Sequence, residues 1–332
     1  MKARMKPQLS VAASATDDTL RYLRQMNVNH CFVMFQPEEC EREEQVLTVL
    51  DRVRKAGLTI TDAGCNPIYK HPAIQFGLPE RDDWIERYNK LNRWLGHAGV
   101  PVGYATWEPH VGNTRWQESE KAHGAVTRVV ELSEITARGP YPATLQKEYS
   151  EEEIWANFEY FLRAALPVCK EANMRLALHP NDPPVPFCEG SAQLIHSSEC
   201  YRRAMRLGDS IEPGLLGVKF CCGCWLEGGK AFGDVLSDLR EFVRAGRVHI
   251  VHFRNVSAPL PDFEETLLED GYFDMYEIMK VLVEEDYAGT IYVDHSPRWD
   301  EATGGERASF AYATGYMKGL MHAAYAERAS AR

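Results

Sequence analysis

The sequence has no apolar run able to cross a bilayer. The longest, Gly214 to Leu226, is interrupted by Lys219 and falls short of the roughly 20 residues a spanning helix needs. The opening MKARMKPQLSVAASATDD lacks the apolar stretch of about 7 to 15 residues that marks a secretory signal. Positive charge is also scarce: 37 Lys and Arg face 48 Asp and Glu, a formal charge of −11, so neither a nucleic-acid nor a membrane partner is expected. Nor is there a disulfide framework, because the nine cysteines are odd in number and scattered among apolar runs, which points to a reducing cytoplasm. No Ser/Gly linker, internal repeat or low-complexity tract divides the chain.

What is present is enough apolar material for a large core, 45% of 332 residues, suited to two medium domains or one barrel. Short runs of branched and aromatic residues alternate with stretches of helical period. Strands are expected at Gln8–Ala12, His30–Phe35, Leu58–Asp62, Val100–Thr106, Met174–His179, Leu215–Cys221, Val248–Phe253 and Thr290–Asp294. Helices are expected at Asp17–Gln25, Glu41–Lys55, Asp82–His97, Glu151–Ala172, Ser191–Leu207, Phe232–Arg244, Met275–Glu284 and from Glu306 to about Glu327. Gly57, Gly99 and Gly289 sit where a left-handed helix stop is expected. Eight such units favour a single (β/α)8 TIM barrel over residues 1–332, with a doubly wound open sheet as the alternative. Two long insertions, at about 107–149 and 257–271, follow the fourth and seventh strands on the face where barrel active sites form. The first carries Trp107, His110, Arg115 and Trp116, and both are expected to wall or cover a substrate.

The last four strands close with His179, Cys221, His252 and Asp294. Neighbouring parallel strands place their C-terminal ends side by side, so two imidazoles, a thiolate and a carboxylate can converge on one divalent first-row ion. His249, three residues before His252, is expected on the opposite side of its strand. Cys221 and Cys224 also form a C-x-x-C pair, but a zinc ribbon needs a second pair, which the chain lacks, and a thioredoxin-like motif belongs after the first strand of a smaller fold. Cys222 and Cys224 are therefore expected to pack around the ligand. Arg254, on the same side as His252, is a candidate clamp for a substrate carboxylate. His71, Asn181, Asp182, His295 and Tyr312 are further candidates around the same face, and Tyr316 is expected to pack against the barrel. Prolines 180, 183, 184 and 186 stiffen the loop that carries Asp182.

ALHPNDPPVP resembles the HPDDPP segment of mannonate dehydratases, KFCCGC their F-C-T-G-S segment, and VHFRN and VDHSP their THLR and PDHG segments. FDMYEIMKVLVEEDYAG and GLPERDDWIERYNKLNRWLGHAGV resemble further stretches of that family, and the likeness runs from Asp17 to Leu320. The resemblance implies a xylose-isomerase-like barrel, a bound divalent ion (Mn2+, with Fe2+, Co2+ or Zn2+ as alternatives) held by His179, Cys221, His252 and Asp294, and dehydration of D-mannonate to 2-keto-3-deoxy-D-gluconate in hexuronate catabolism. It is compatible with a homo-oligomer. Three departures stand out. The family's F-D-W-T-R appears as V-G-N-T-R, with Gly112 and Asn113 before Arg115; the first Asp of HPDDPP is Asn181; and the tyrosine of N-P-G-Y-S meets Ala311, one place before Tyr312. One residue on a helix turns a side chain by about 100°.

Dehydration of a sugar acid requires a base for the carbon-bound proton and an acid for the leaving hydroxyl. His295, Tyr312 and His71 are the candidate proton carriers, and Arg254 the candidate for sharing the developing charge. His71, Arg115, Asp182 and Arg254 are the candidates for binding an acidic sugar. The alternative is a related lyase, sugar isomerase or epimerase acting on another sugar derivative. A several-metal endonuclease is disfavoured by the acidic charge, and a binding protein without catalysis is the remaining alternative.

Overall fold

The computed structural model describes residues 4–108, 115–138 and 147–330. Eight parallel strands form one sheet: β1 (Lys6–Ala12), β2 (His30–Met34), β3 (Thr59–Gly64), β4 (Val102–Thr106), β5 (Arg175–His179), β6 (Leu216–Cys221), β7 (Val248–His252) and β8 (Thr290–Tyr292). Neighbours follow in chain order from β4 to β8 and on through β1 to β3, so only the seam between β3 and β4 lacks ladder pairing among the described residues. The result is a (β/α)8 barrel. Every residue of β4, β6, β7 and β8 is buried, as expected for strands covered by helices outside and side chains within.

Helix ends follow their capping residues. Ser150 and Glu153 form a capping box at the start of Glu151–Glu171, and Asp234 and Asp274 cap Val235–Arg244 and Met275–Glu284. The expected helix from Ser191 begins later. Ser191–Ala192 pairs with Phe187–Cys188 as a small hairpin, and Ser197 caps a helix at Ser198–Asp209. A helix absent from the expected list, Cys222–Phe232, starts directly at the end of β6 and is broken at Gly229, whose φ is 51°. Gly57 and Gly99 take left-handed φ values of 82° and 81°. Gly289 does not: there the left-handed residue is Asp286, and Gly289 is needed because a Cβ would fall 2.3 Å from the Tyr287 hydroxyl.

The two insertions build one structure. Asp262–Glu264, from the second, pairs antiparallel with Val126–Glu131, from the first, which in turn pairs with Arg115–Glu118. Phe263 and Val130, opposite each other in this register, are both buried. Hairpin signals are local in sequence, whereas this pairing joins segments about 130 positions apart, so periodicity cannot reveal it. His110, Gly112 and Asn113 lie outside the described residues.

Candidate metal centre

β5, β6 and β7 end on His179, Cys221 and His252, and Asp294 lies two residues beyond β8. One ligand atom from each lies within 4.8 Å of the others. The ring stands where adjacent strand ends place it, since Cys221 and His252 are register partners across β6 and β7.

The surroundings orient this set. His179 Nδ1 is 2.7 Å from the carbonyl of Pro180, which can only accept, so Nδ1 carries the proton and Nε2 keeps its lone pair for the ring. His252 Nδ1 approaches Asp294 Oδ1 to 3.0 Å, yet neither ring nitrogen makes a hydrogen bond of proper geometry although the residue is buried. Burial opposes ionisation of Cys221, but the Cys224 thiol, the Arg254 guanidinium and the two imidazoles outweigh it and hold the Cys221 thiol well below its usual value. Burial likewise opposes ionisation of Asp294, and His252, His295 and Arg254 outweigh it, so the carboxylate is held well below its usual range. Orphaned imidazole nitrogens beside a thiolate and a carboxylate are what a divalent ion would satisfy. The donor set fits the implied ion.

Arg254 lies at the heart of the site but not at its surface. Its guanidinium bonds to Glu265 and reaches Glu227 at 2.8 Å, Asp182 at 3.1 Å and the Cys221 sulfur at 3.4 Å, with its own side chain 1% exposed. Its two Nη atoms face protein carboxylates, while Nε lies 3.7 Å from Asp294 Oδ2 without a hydrogen bond, and so buried a guanidinium presents little surface to a substrate, against the clamp expected of it. Asp182, a candidate for substrate binding, is one of its partners. Asp182, Cys224 and Glu227 form a second convergent set, and the Arg254 guanidinium contacts all three. Burial, with Asp182 and Cys221 nearby, pushes Glu227 well above the usual carboxylate range despite Arg254.

His295 lies beside Asp294. Its Nδ1 is 2.8 Å from Glu265 Oε1 and its Nε2 is 3.9 Å from Asp294 Oδ1. Burial opposes protonation of His295, but Asp294 and Glu265 outweigh it and raise the imidazole above its usual value. Glu265 was not a candidate in the sequence, because it enters on the second insertion. Its backbone N–H donates to Arg128 and its carbonyl accepts from the Thr127 hydroxyl, so the small sheet delivers it.

Three further candidates have protein partners of their own. Tyr312 is 45% exposed and hydrogen-bonded to Glu269, while Tyr316 packs against the core. Arg115, on the small sheet, pairs with Glu131 and Glu134, which neutralise its charge. His71 caps the short helix Pro72–Phe76 and stacks on Trp84 with ring centres 3.5 Å apart. Asn181 is a buried clamp. Its amide donates to the Trp107 carbonyl and its oxygen accepts from Ile195 N–H, a pair of roles no carboxylate can fill. Trp107 packs on Phe158 and Phe161. His249 fills the space beside Gly217, where a β-bulge in the β6–β7 ladder breaks the alternation that would have set its side.

The family model described as D-mannonate dehydratase (UxuA) matches residues 141–330. The mannonate dehydratase of Streptococcus pneumoniae (strain 70585) is 31% identical over 288 residues, covering 78% of this chain and 76% of that protein. The chain belongs to the mannonate dehydratase family. Among solved structures, the mannonate dehydratase from Streptococcus suis serotype2 superposes with a TM-score of 0.83 at 27% identity, over 99% of this chain and 95% of that one. A xylose isomerase domain protein from Planctomyces limnophilus, at 13% identity and a TM-score of 0.62, shows the shared xylose-isomerase-like fold alone. As a member of the family, the chain is a hydro-lyase. No helix among the described residues is long and apolar enough to cross a membrane.

Proposed function

We propose that this family member is a metal-dependent dehydratase that converts D-mannonate to 2-keto-3-deoxy-D-gluconate and water. The supporting observation is the convergence of His179, Cys221, His252 and Asp294 within 4.8 Å, with a carboxylate-held imidazole at its edge. These four residues would hold one divalent ion, Mn2+ by the family resemblance; the thiolate also suits Zn2+ or Fe2+. When bound, such an ion supplies Lewis-acid stabilisation of the negative charge that develops beside the substrate carboxylate.

The reaction breaks the C–H bond next to the carboxylate and the C–O bond of the neighbouring hydroxyl, and the resulting enol becomes the keto acid. His295 is the residue we assign to the leaving hydroxyl. Its proton is favoured by Asp294 and Glu265, and Glu265 fixes the ring through Nδ1, leaving Nε2 to face the ring of ligands. Arg254 acts through Cys221 and the surrounding carboxylates as a positioning residue.

Incubation of the metal-loaded protein with D-mannonate is expected to yield a 2-keto-3-deoxy acid in stoichiometry with the substrate lost. A metal-loaded, folded protein that forms none would overturn the assignment.

A further inference from the structure

Lys219, which in the sequence only interrupts an apolar run, occupies the centre of the barrel. It lies on β6 two residues before Cys221, so both side chains leave the strand on the same side, roughly 7 Å apart along it. The direction is inward. Its Nζ lies 4.1 Å from the ring centre of Tyr104 on β4, 5.1 Å from that of Phe32 on β2 and 5.9 Å from that of Tyr292 on β8. The side chain therefore spans the lumen from the strands that carry the ligands towards those that carry none.

Lys219 is 3% exposed and has no hydrogen bond and no carboxylate within 4 Å among the described residues. Burying an ammonium without such a partner is costly, and three π faces recover only part of its lost hydration. Asp62, buried on β3, and the ring members Asp294 and Cys221 offset part of that cost, and one Asp62 carboxylate oxygen is without a hydrogen bond. Four other cations each have a carboxylate partner: Arg254 has Glu227, Glu265 and Asp182, Lys70 has Glu108, Arg128 has Glu265, and Arg115 has Glu131 and Glu134. A chain of charge −11 can draw an anion only through local positive charge.

We propose that Lys219 is the substrate-recognition cation of this site, its ammonium pairing with the carboxylate of an open-chain sugar acid seated over the lumen beside the four ligands. This rests on the dehydratase reading for its substrate class, but not on D-mannonate in particular. A neutral polyol has no charge to pair with the ammonium, so Lys219 selects sugar acids over alditols.

Calorimetric titration of the metal-loaded full chain with D-mannonate, D-gluconate and D-mannitol tests it. Lys219→Met is expected to weaken sugar-acid binding about tenfold or more, the scale of a charged hydrogen bond, with metal content and D-mannitol binding unchanged. Sugar-acid affinity within about threefold of the wild type, at equal metal content, would overturn it. If the variant does not fold, crystals of the wild-type protein soaked with D-gluconate decide: a carboxylate oxygen in hydrogen-bond contact with Nζ supports the role, and a carboxylate bound elsewhere refutes it. Lys219-dependent binding of D-gluconate without turnover of D-mannonate would sink the substrate assignment and leave this one standing. Turnover of D-mannonate with binding indifferent to Lys219 would do the reverse.

Discussion

Arg254 Nη2 lies 2.8 Å from Glu227 Oε1, with the two side chains 1% and 0% exposed, at the centre of a buried network that also takes in Asp182 and Glu265. A buried ion network contributes little when compared with an apolar core, but removal of one member leaves the others uncompensated. Arg254→Met is expected to cost about 3–5 kcal/mol in urea unfolding. It should also weaken metal retention, because the Cys221 thiolate loses a positive neighbour. An unchanged unfolding midpoint would show that the network relaxes without it.

The ligand ring predicts its own metal content. Protein purified without chelator should carry about one divalent ion per chain, and Cys221→Ser should carry far less, since a hydroxyl is a much poorer ligand than a thiolate. Chelation should lower the melting temperature of the wild type. Free ion at about 100 times its dissociation constant contributes roughly 2.7 kcal/mol through preferential binding to the folded state. Elemental analysis and thermal scans with and without chelator measure both.

Substitutions at His295 and Tyr312 separate two of the three sequence candidates for proton transfer. His295→Gln is expected to lower kcat by about 10²–10⁴ with metal content unchanged, because it removes the acid but not a ligand. Tyr312→Phe is expected to leave kcat near the wild type, since its hydroxyl is exposed and spends its hydrogen bond on Glu269. The opposite ranking in steady-state kinetics would move the proton carrier to the last helix.

Glu265 predicts the acid limb of stability. Burial alone would raise it, but the His295 and Arg254 charges lower it from 4.5 to about 2. A carboxylate with a depressed folded value stabilises the protein above its unfolded value, and that stabilisation is lost as pH falls from about 4.5 towards 2. Its full size is on the order of 3 kcal/mol. Urea unfolding across this range should show the decline in the wild type and a flatter profile in Glu265→Gln.

Much of this protein is legible along the chain. Strand positions follow from branched and aromatic runs, helix starts from Ser and Asp caps, and the four candidate ligands from their place at strand ends, because parallel strands convert regular spacing into adjacency. The misplaced features share a cause. Ser191 is as good a cap as Ser197, and only the pairing of Ser191–Ala192 with Phe187–Cys188 decides between them. Tyr312 and Arg254 are chemically apt for the roles expected of them. Tyr312 is exposed, and Arg254 is met by carboxylates from three separate segments, neither of which the sequence order reveals.

Local order alone therefore specified the barrel and the residues at its strand ends. Tertiary structure decided which charges are already spent and which still face the lumen. Glu265 reaches His295 because two distant insertions pair into one sheet, and Lys219 meets Phe32, Tyr104 and Tyr292 because barrel closure brings their strands around it. Electrostatic roles depend on distances across the fold rather than along the chain, and a single residue's chemistry does not contain them.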